Sequence, residues 1–168
     1  YLFFADRVNQ LPMGVVGVAV GTALLPLLAR QVGAGDKAAV LNSQNRALEV
    51  ILFLALPAAA ALIVIAGPVV KVLFERGAFT TADSAATAEA LAVYAIGLPA
   101  FVLVKGLTPG FFARGDTSMP VKIGLFSVVV NLVLNLILMG PFLHVGIAAA
   151  TSVSAWLNAF LLARALYK

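Results

Sequence analysis

Four stretches of this sequence are each long enough to cross a bilayer and carry at most one formal charge, and that feature constrains the fold most. No charged residue occurs between Val8 and Ala29 or between Val50 and Val70, and the run from Ala90 to Ala113 is broken only by Lys105. A hydrocarbon core about 30 Å thick is crossed by a helix of roughly 20 mostly apolar residues. The fourth run, from Ile123 to Ala163, is too long for one crossing and holds Gly140-Pro141 and His144 near its middle. That cluster reads as a helix stop and turn. The spacing therefore predicts an all-α, polytopic transmembrane helix bundle of about five spans: 8–29, 50–70, 90–113, 123–139 and 145–163. No long period-2 alternation competes with the helical pattern.

Composition supports lipid as the solvent. Hydrophobic residues make up 62% and charged residues 11%, where soluble domains have about a quarter charged. The mean hydropathy of +1.07 is likewise too high for a chain this short to hide in water. Cysteine is absent, which excludes disulfides and thiolate metal sites. The net charge of +4 does not signal nucleic acid, because the basic residues stand singly at the ends of apolar runs. With Tyr1 first, no initiator Met and no signal peptide, the chain reads as an excerpt from a longer protein.

Loop charges orient the spans. Arg30, Lys37 and Arg46 follow the first run, Arg114 and Lys122 flank the third connection, and Arg164 and Lys168 close the chain. The other connections are poorer: Lys71 and Arg76 are balanced by Glu75, Asp83 and Glu89, and the Gly140 turn has only His144. The positive-inside rule then places the first, third and last of these segments in the cytoplasm and Tyr1 near the outer face. A weak repeat, Val16–Thr22 echoed by Val145–Thr151, fits either an internal duplication or close helix packing alone.

No enzyme constellation is visible. His144 lacks a partner cluster and reads as a surface turn residue. The acidic residues form no general acid–base pair, and there is neither a phosphate-binding loop nor a His/Glu metal spacing. The informative residues are polar ones at membrane depth. Asp6, Arg7 and Gln10 open the first span, and a charge there costs about 2.5–3.5 kcal/mol on insertion scales, so it faces a cavity or a partner. One reading makes Arg7 a cavity cation gripping phosphate oxygens. The other, which composition alone favours, makes it an interfacial arginine that snorkels or is neutralised by Asp6. Pro12 and Gly14 would loosen the helix after it. Lys105, followed by Gly106, Pro109 and Gly110, is the second intramembrane cation; snorkelling towards the cytoplasmic face is favoured over substrate contact. Gly17-xxx-Gly21 and Gly106-xxx-Gly110 permit close helix approach.

The last two spans carry a polar stripe. Ser127, Asn131 and Asn135 share one helix face, as do Thr151, Ser154 and Asn158. Counting from the turn puts Asn135 level with Thr151 and Asn131 with Ser154. Interhelical hydrogen bonding explains this at about 0.6 kcal/mol per bond. An oxygen-lined site for a small hard cation such as Na⁺ is the sharper alternative.

Three motifs in order resemble one family. Ala5-Asp-Arg-Val-Asn-Gln-Leu-Pro-Met-Gly leads to Ala23-Leu-Leu-Pro26, Leu73-Phe-Glu-Arg-Gly-Ala-Phe-Thr80 forms a short outer loop, and Pro109-Gly-Phe-Phe-Ala-Arg-Gly-Asp-Thr-Ser-Met-Pro-Val-Lys-Ile123 a cytoplasmic one. Together they are similar to the lipid II flippases of the MurJ (MviN) family, within the multidrug/oligosaccharidyl-lipid/polysaccharide exporter superfamily. The resemblance implies spans eight to twelve of a fourteen-span, two-lobe transporter of the bacterial cytoplasmic (inner) membrane. It implies lipid II as substrate, the bilayer and the rest of the parent chain as partners, and no catalysis. Arg7 matches the family's cavity arginine, while Gln10 stands where a glutamate is common. Asp6 and Lys105 join Arg7 and Gln10 as candidate substrate residues. Asn131, Asn135, Ile147 (through its carbonyl) and Thr151 match the region of a sodium site. A related polysaccharide or drug exporter, or a non-transporting scaffold, are the alternatives; Arg7 and Lys105 weigh against a passive scaffold.

Overall fold

The apolar runs all lie within helices. A computed structural model describes residues 1–77 and 79–168; Ala78, inside the Leu73–Thr80 motif, lies outside the described residues. Helix α1 (Leu2–Met13), a π-helical turn at Gly14–Val18 and helix α2 (Ala19–Gly33) follow one another without a break. Helices α3 (Lys37–Phe74), α4 (Thr81–Ala113) and α5 (Ser118–Leu166) complete the chain. At 1.5 Å per residue α3 is about 57 Å long, more than a hydrocarbon core needs, so its polar first third, Lys37 to Glu49, stands clear of it.

Side chains fix where these helices start. The Asp36 carboxylate accepts from the Ala39 N–H (2.9 Å) ahead of α3. Thr80 and Asp83 form a reciprocal capping box ahead of α4. At the opposite ends, Gly35 and Gly115 take φ of +73° and +74°, a conformation that lets the chain leave a helix at no Cβ cost.

The expected hairpin lies within α5, and its reversal falls inside the Gly140–His144 stretch that marked it. Pro141 stays in helical backbone, where it only removes one N–H donor. The chain turns two residues later, at Leu143, the one non-glycine residue with positive φ among the described residues (φ 50°, ψ −126°). Gly146 then lies directly against the Leu138 backbone, although eight residues along a straight helix would separate them by about 12 Å. At the far ends Ile123 packs against the cluster that holds Leu162 and Leu166. The two arms are therefore antiparallel, and the chain has about five membrane-crossing segments.

Helix α4 is the hub. Its buried residues run along most of its circumference. One core joins Ala5 and Val8 of α1, Ile51, Ala55 and Leu62 of α3, and Leu91, Tyr94 and Leu98 of α4. A second joins Leu107 and Phe111 to Leu162 and Leu166. Hydrogen bonds to α4 carbonyls supplement this packing: Gln44 Nε2 donates to Gly106 O (2.8 Å), Ser152 Oγ to Val93 O (2.8 Å), and Trp156 Nε1 to Ile96 O (3.0 Å). The first arm of α5 instead exposes Leu125, Val128, Leu132 and Leu136, an apolar face suited to lipid.

Gly97 tests this packing, since a Cβ there would stand 2.9 Å from Ser152 Cα. Gly97→Val in the full-length parent should lower stability by about 1–3 kcal/mol. Gly33→Ala, where nothing lies within 4 Å, should leave it within about 0.5 kcal/mol. Thermal melting in detergent measures both, and a Gly97→Val protein that melts like the unmodified one would contradict the close approach of α4 and α5.

Candidate functional site

The residues that open the first span form one connected group. On α1, Asp6 and Gln10 are one turn apart, and Gln10 Nε2 donates to Asp6 Oδ2 at 2.5 Å. Arg7 Nη1 reaches Gln10 Oε1 at 3.5 Å, and its guanidinium stands 4.9 Å from the centroid of the Phe3 ring. Asp6 and Arg7 are adjacent in sequence, yet Gln10 stands between their charged ends. Among the described residues Arg7 makes no ion pair, so neutralisation by Asp6 is not how this arginine is accommodated. It is exposed on the bundle surface, with most of its five donors unengaged.

Sequence reasoning passed over Tyr94. Almost wholly buried on α4, it lies within interaction range of Asp6 on one side and Thr151 on the other. Its signal was an aromatic ring with a polar handle in the middle of an otherwise apolar span.

The loosening expected from Pro12 and Gly14 takes the form of the π turn at Gly14–Val18, a geometry that recurs at functional sites. Within it, Gly17 faces Lys105: a Cβ would stand 2.6 Å from Lys105 Cδ. The lysine stem thus runs across the π turn, and Gly21 lies against the Lys105 carbonyl (3.6 Å from a built Cβ). Pro109 has no N–H to offer that carbonyl. Lys105 is separate from the Asp6–Arg7–Gln10 group, and among the described residues it too makes no ion pair.

In α5, Asn135 Nδ2 donates to Asn131 Oδ1 (2.9 Å), leaving Asn135 Oδ1 buried without a partner. Across the hairpin, the Thr151 hydroxyl donates to Ile147 O (2.9 Å). The Gly146–Leu138 contact sets the register and brings Thr151 level with the turn between Asn131 and Asn135. Thr22 donates to Val18 O in the same i−4 manner, so the two halves of the sequence repeat share that bond, although one half is π-helical.

The loop motifs also have structural roles. Phe74 and Phe79 pack with Phe4 of α1 at centroid distances of 4.8 and 5.3 Å. Arg114 Nη1 donates to Leu166 O (3.1 Å) and so caps the last helix. The Asp116 carboxylate accepts from the N–H groups of Ser118 (3.2 Å) and Met119 (3.1 Å) at the start of α5. His144 is not a simple surface turn residue: it is half-buried, in tilted contact with the Tyr1 ring and 4.0 Å from Glu89.

The comparisons with known proteins agree with one another. A family model described as lipid II flippase MurJ matches residues 1–168. A probable lipid II flippase MurJ of Rhizobium meliloti (strain 1021) is 51% identical over 96% of this chain and 30% of its own length. Its counterpart in Rickettsia prowazekii (strain Madrid E) is 44% identical over 96% of the chain and 32% of its length. A solved structure, the lipid II flippase MurJ in an inward closed conformation, superposes with a TM-score of 0.90 at 27% identity, covering 100% of this chain and 35% of that one. The chain thus spans about a third of the relatives it matches.

The Asp116 turn yields a pH prediction. Hydrogen bonds, first from the Met119 N–H and then from Ser118, hold the Asp116 carboxyl below the usual aspartate value. A depressed carboxylate stabilises the fold above its unfolded-state pKa, and that contribution is lost as pH falls through the folded-state value. Melting curves of the parent and its Asp116→Asn variant should therefore differ at neutral pH and converge below the ordinary carboxylate range. A gap that stays constant down to strongly acidic pH would refute the turn's dependence on the charged form.

Proposed function

Because the chain belongs to the lipid II flippase MurJ family, we propose that it forms part of a transporter that carries lipid-linked peptidoglycan precursor from the inner to the outer leaflet. Transport proceeds by alternating access in the bacterial cytoplasmic membrane, with no covalent chemistry on the substrate. The Lys and Arg asymmetry of the connections supports an orientation with Tyr1 and the α5 turn outside and Gly35 and Gly115 inside.

The observation that carries the reading is the Asp6–Gln10–Arg7 group. Gln10 accepts from Arg7 and donates to Asp6, which braces the guanidinium from behind without cancelling its charge. A diphosphate offers several anionic oxygens, and a guanidinium can grip two at once. Gln10 where a carboxylate is common leaves the arginine more positive, which favours anion capture. The substrate group is bound and released by moving helices, and the π turn at Gly14–Val18 lies directly below it. Lys105, whose stem is held against Gly17 rather than paired with a carboxylate, adds a second cation on the same pathway.

A sodium ion is proposed to bind between the arms of α5. The orphaned Asn135 Oδ1 is a buried oxygen that needs a positive partner, and the hydroxyl of Thr151 and the carbonyls of Asn131 and Ile147 are the same class of hard donor. A bound ion would supply the charge that ties the two arms together.

Substitutions at two positions in the full-length parent test these assignments. Arg7→Lys should lose much of the activity and Arg7→Ala nearly all, while membrane levels hold, since removing an intramembrane charge does not hinder insertion. Complementation of a flippase-depleted strain, with an immunoblot of the membrane fraction, reads both; normal growth with Arg7→Ala would remove Arg7 from the substrate path. For the cation, sodium should raise the melting temperature of the parent, and Asn135→Leu should abolish that rise with the fold intact. A parent insensitive to sodium would leave Asn131 and Asn135 as helix-packing residues.

A further inference from the structure

Three elements meet at the end of the bundle where α1 begins: the residue preceding α1, the first turns of α4 and the reversal of α5. The Tyr1 hydroxyl donates to Asp83 Oδ1 at 2.7 Å, and the Tyr1 ring lies 5.4 Å from the His144 ring, tilted by 58°. His144 Nε2 stands 4.0 Å from Glu89 Oε2. That nitrogen is buried and has no hydrogen-bond partner. The ring therefore faces a carboxylate that it approaches but does not yet engage.

His144 immediately follows Leu143, whose φ of 50° is unfavourable for a residue with a γ-branched side chain. Such a conformation persists where surrounding contacts hold it. The contacts available on this side of the turn are the approach of His144 to Glu89 and the tilted contact with the Tyr1 ring. No Asp, Glu, Lys or Arg lies between Lys122 and Arg164 on α5 itself. Among the described residues the titratable groups recorded against the imidazole are Glu89 of α4 and Tyr1, with Asp83 of α4 bonded to the tyrosine.

We propose that His144 is a proton-operated latch. Protonated, it closes the gap to Glu89 and ties the turn of α5 to α4 and the start of α1; deprotonated, it frees the turn to separate from them. Imidazole is the side chain whose charge changes between about pH 5 and 8. Tyr1 stays protonated because its hydrogen bond to Asp83 raises its pKa. At the opposite end of the bundle the turns are held instead by Asp36, Arg114 and Asp116. On the orientation proposed above the latch closes the outer end, so acid outside would favour the outward-closed arrangement.

The sign follows from linkage. A contact that needs the charged imidazole is present at low pH and is lost when the ring gives up its proton. The test uses full-length parent in detergent, where both ends see one pH and the orientation of the chain does not enter. The unmodified protein should melt higher at about pH 5.5 than at about pH 8. His144→Gln and Glu89→Gln should each erase that difference. Glu89→Gln alters an exposed side chain, so it stays informative even if His144→Gln folds poorly. An unmodified protein with no pH difference, or a Glu89→Gln variant that keeps it in full, would overturn the latch.

Discussion

In lipid, apolar side chains gain little by leaving their surroundings for one another, so the force that gathers helices in water is weak here. What remains is close backbone approach and hydrogen bonds in a medium with no water to compete. Helix α4 supplies both. Its carbonyls at Val93, Ile96 and Gly106 accept from Ser152, Trp156 and Gln44, and its glycines at 97, 106 and 110 admit Ser152, Ile51 and Gln44. Helices α3 and α5 therefore hold α4 by polar bonds placed beside gaps where a side chain would not fit. Loss of either member would disturb the other, because the gap sets the reach of the bond.

The same logic explains how an unpaired arginine is tolerated. Gln10 cannot neutralise Arg7, but its amide passes the negative end of Asp6 towards the guanidinium through two polar contacts. The Phe3 ring covers one face. The cation keeps donors free for a ligand without being stranded in an apolar wall. Lys105 is treated differently: its long stem does the packing, against Gly17, and among the described residues its ammonium makes no ion pair.

Much of this was legible in the sequence because the bilayer enforces it. Runs without charge became helices, the split of the long last run into two arms followed from Gly140 and Pro141, and Pro12 with Gly14 marked the irregular turn. Three features were not legible. The reversal at Leu143 depends on Gly146 reaching Leu138, a contact made only after folding. Tyr94 looked like one more aromatic in an apolar run until Asp6 and Thr151 came to face it. His144 had no sequence neighbour to pair with, since Glu89 and Tyr1 are remote along the chain. In each case the meaning of a residue came from tertiary pairing that periodicity does not encode. The Asn131–Asn135 bond was foreseeable from its spacing; the oxygen left over from it was not.

The turn of α5 also bears on how the chain enters the membrane during synthesis. Between Lys122 and Arg164 no permanently charged side chain has to be moved across the hydrocarbon, and both basic ends lie on one side of the hairpin. A single helix would have to drag a charged flank through, at about 2.5–3.5 kcal/mol for each such residue at the centre. Two arms that share an almost neutral bend can be threaded as one unit, with the Gly146–Leu138 contact closing the bend as it emerges. Any basic residue added to that bend would oppose this passage and give the insertion machinery reason to leave both arms on the wrong side.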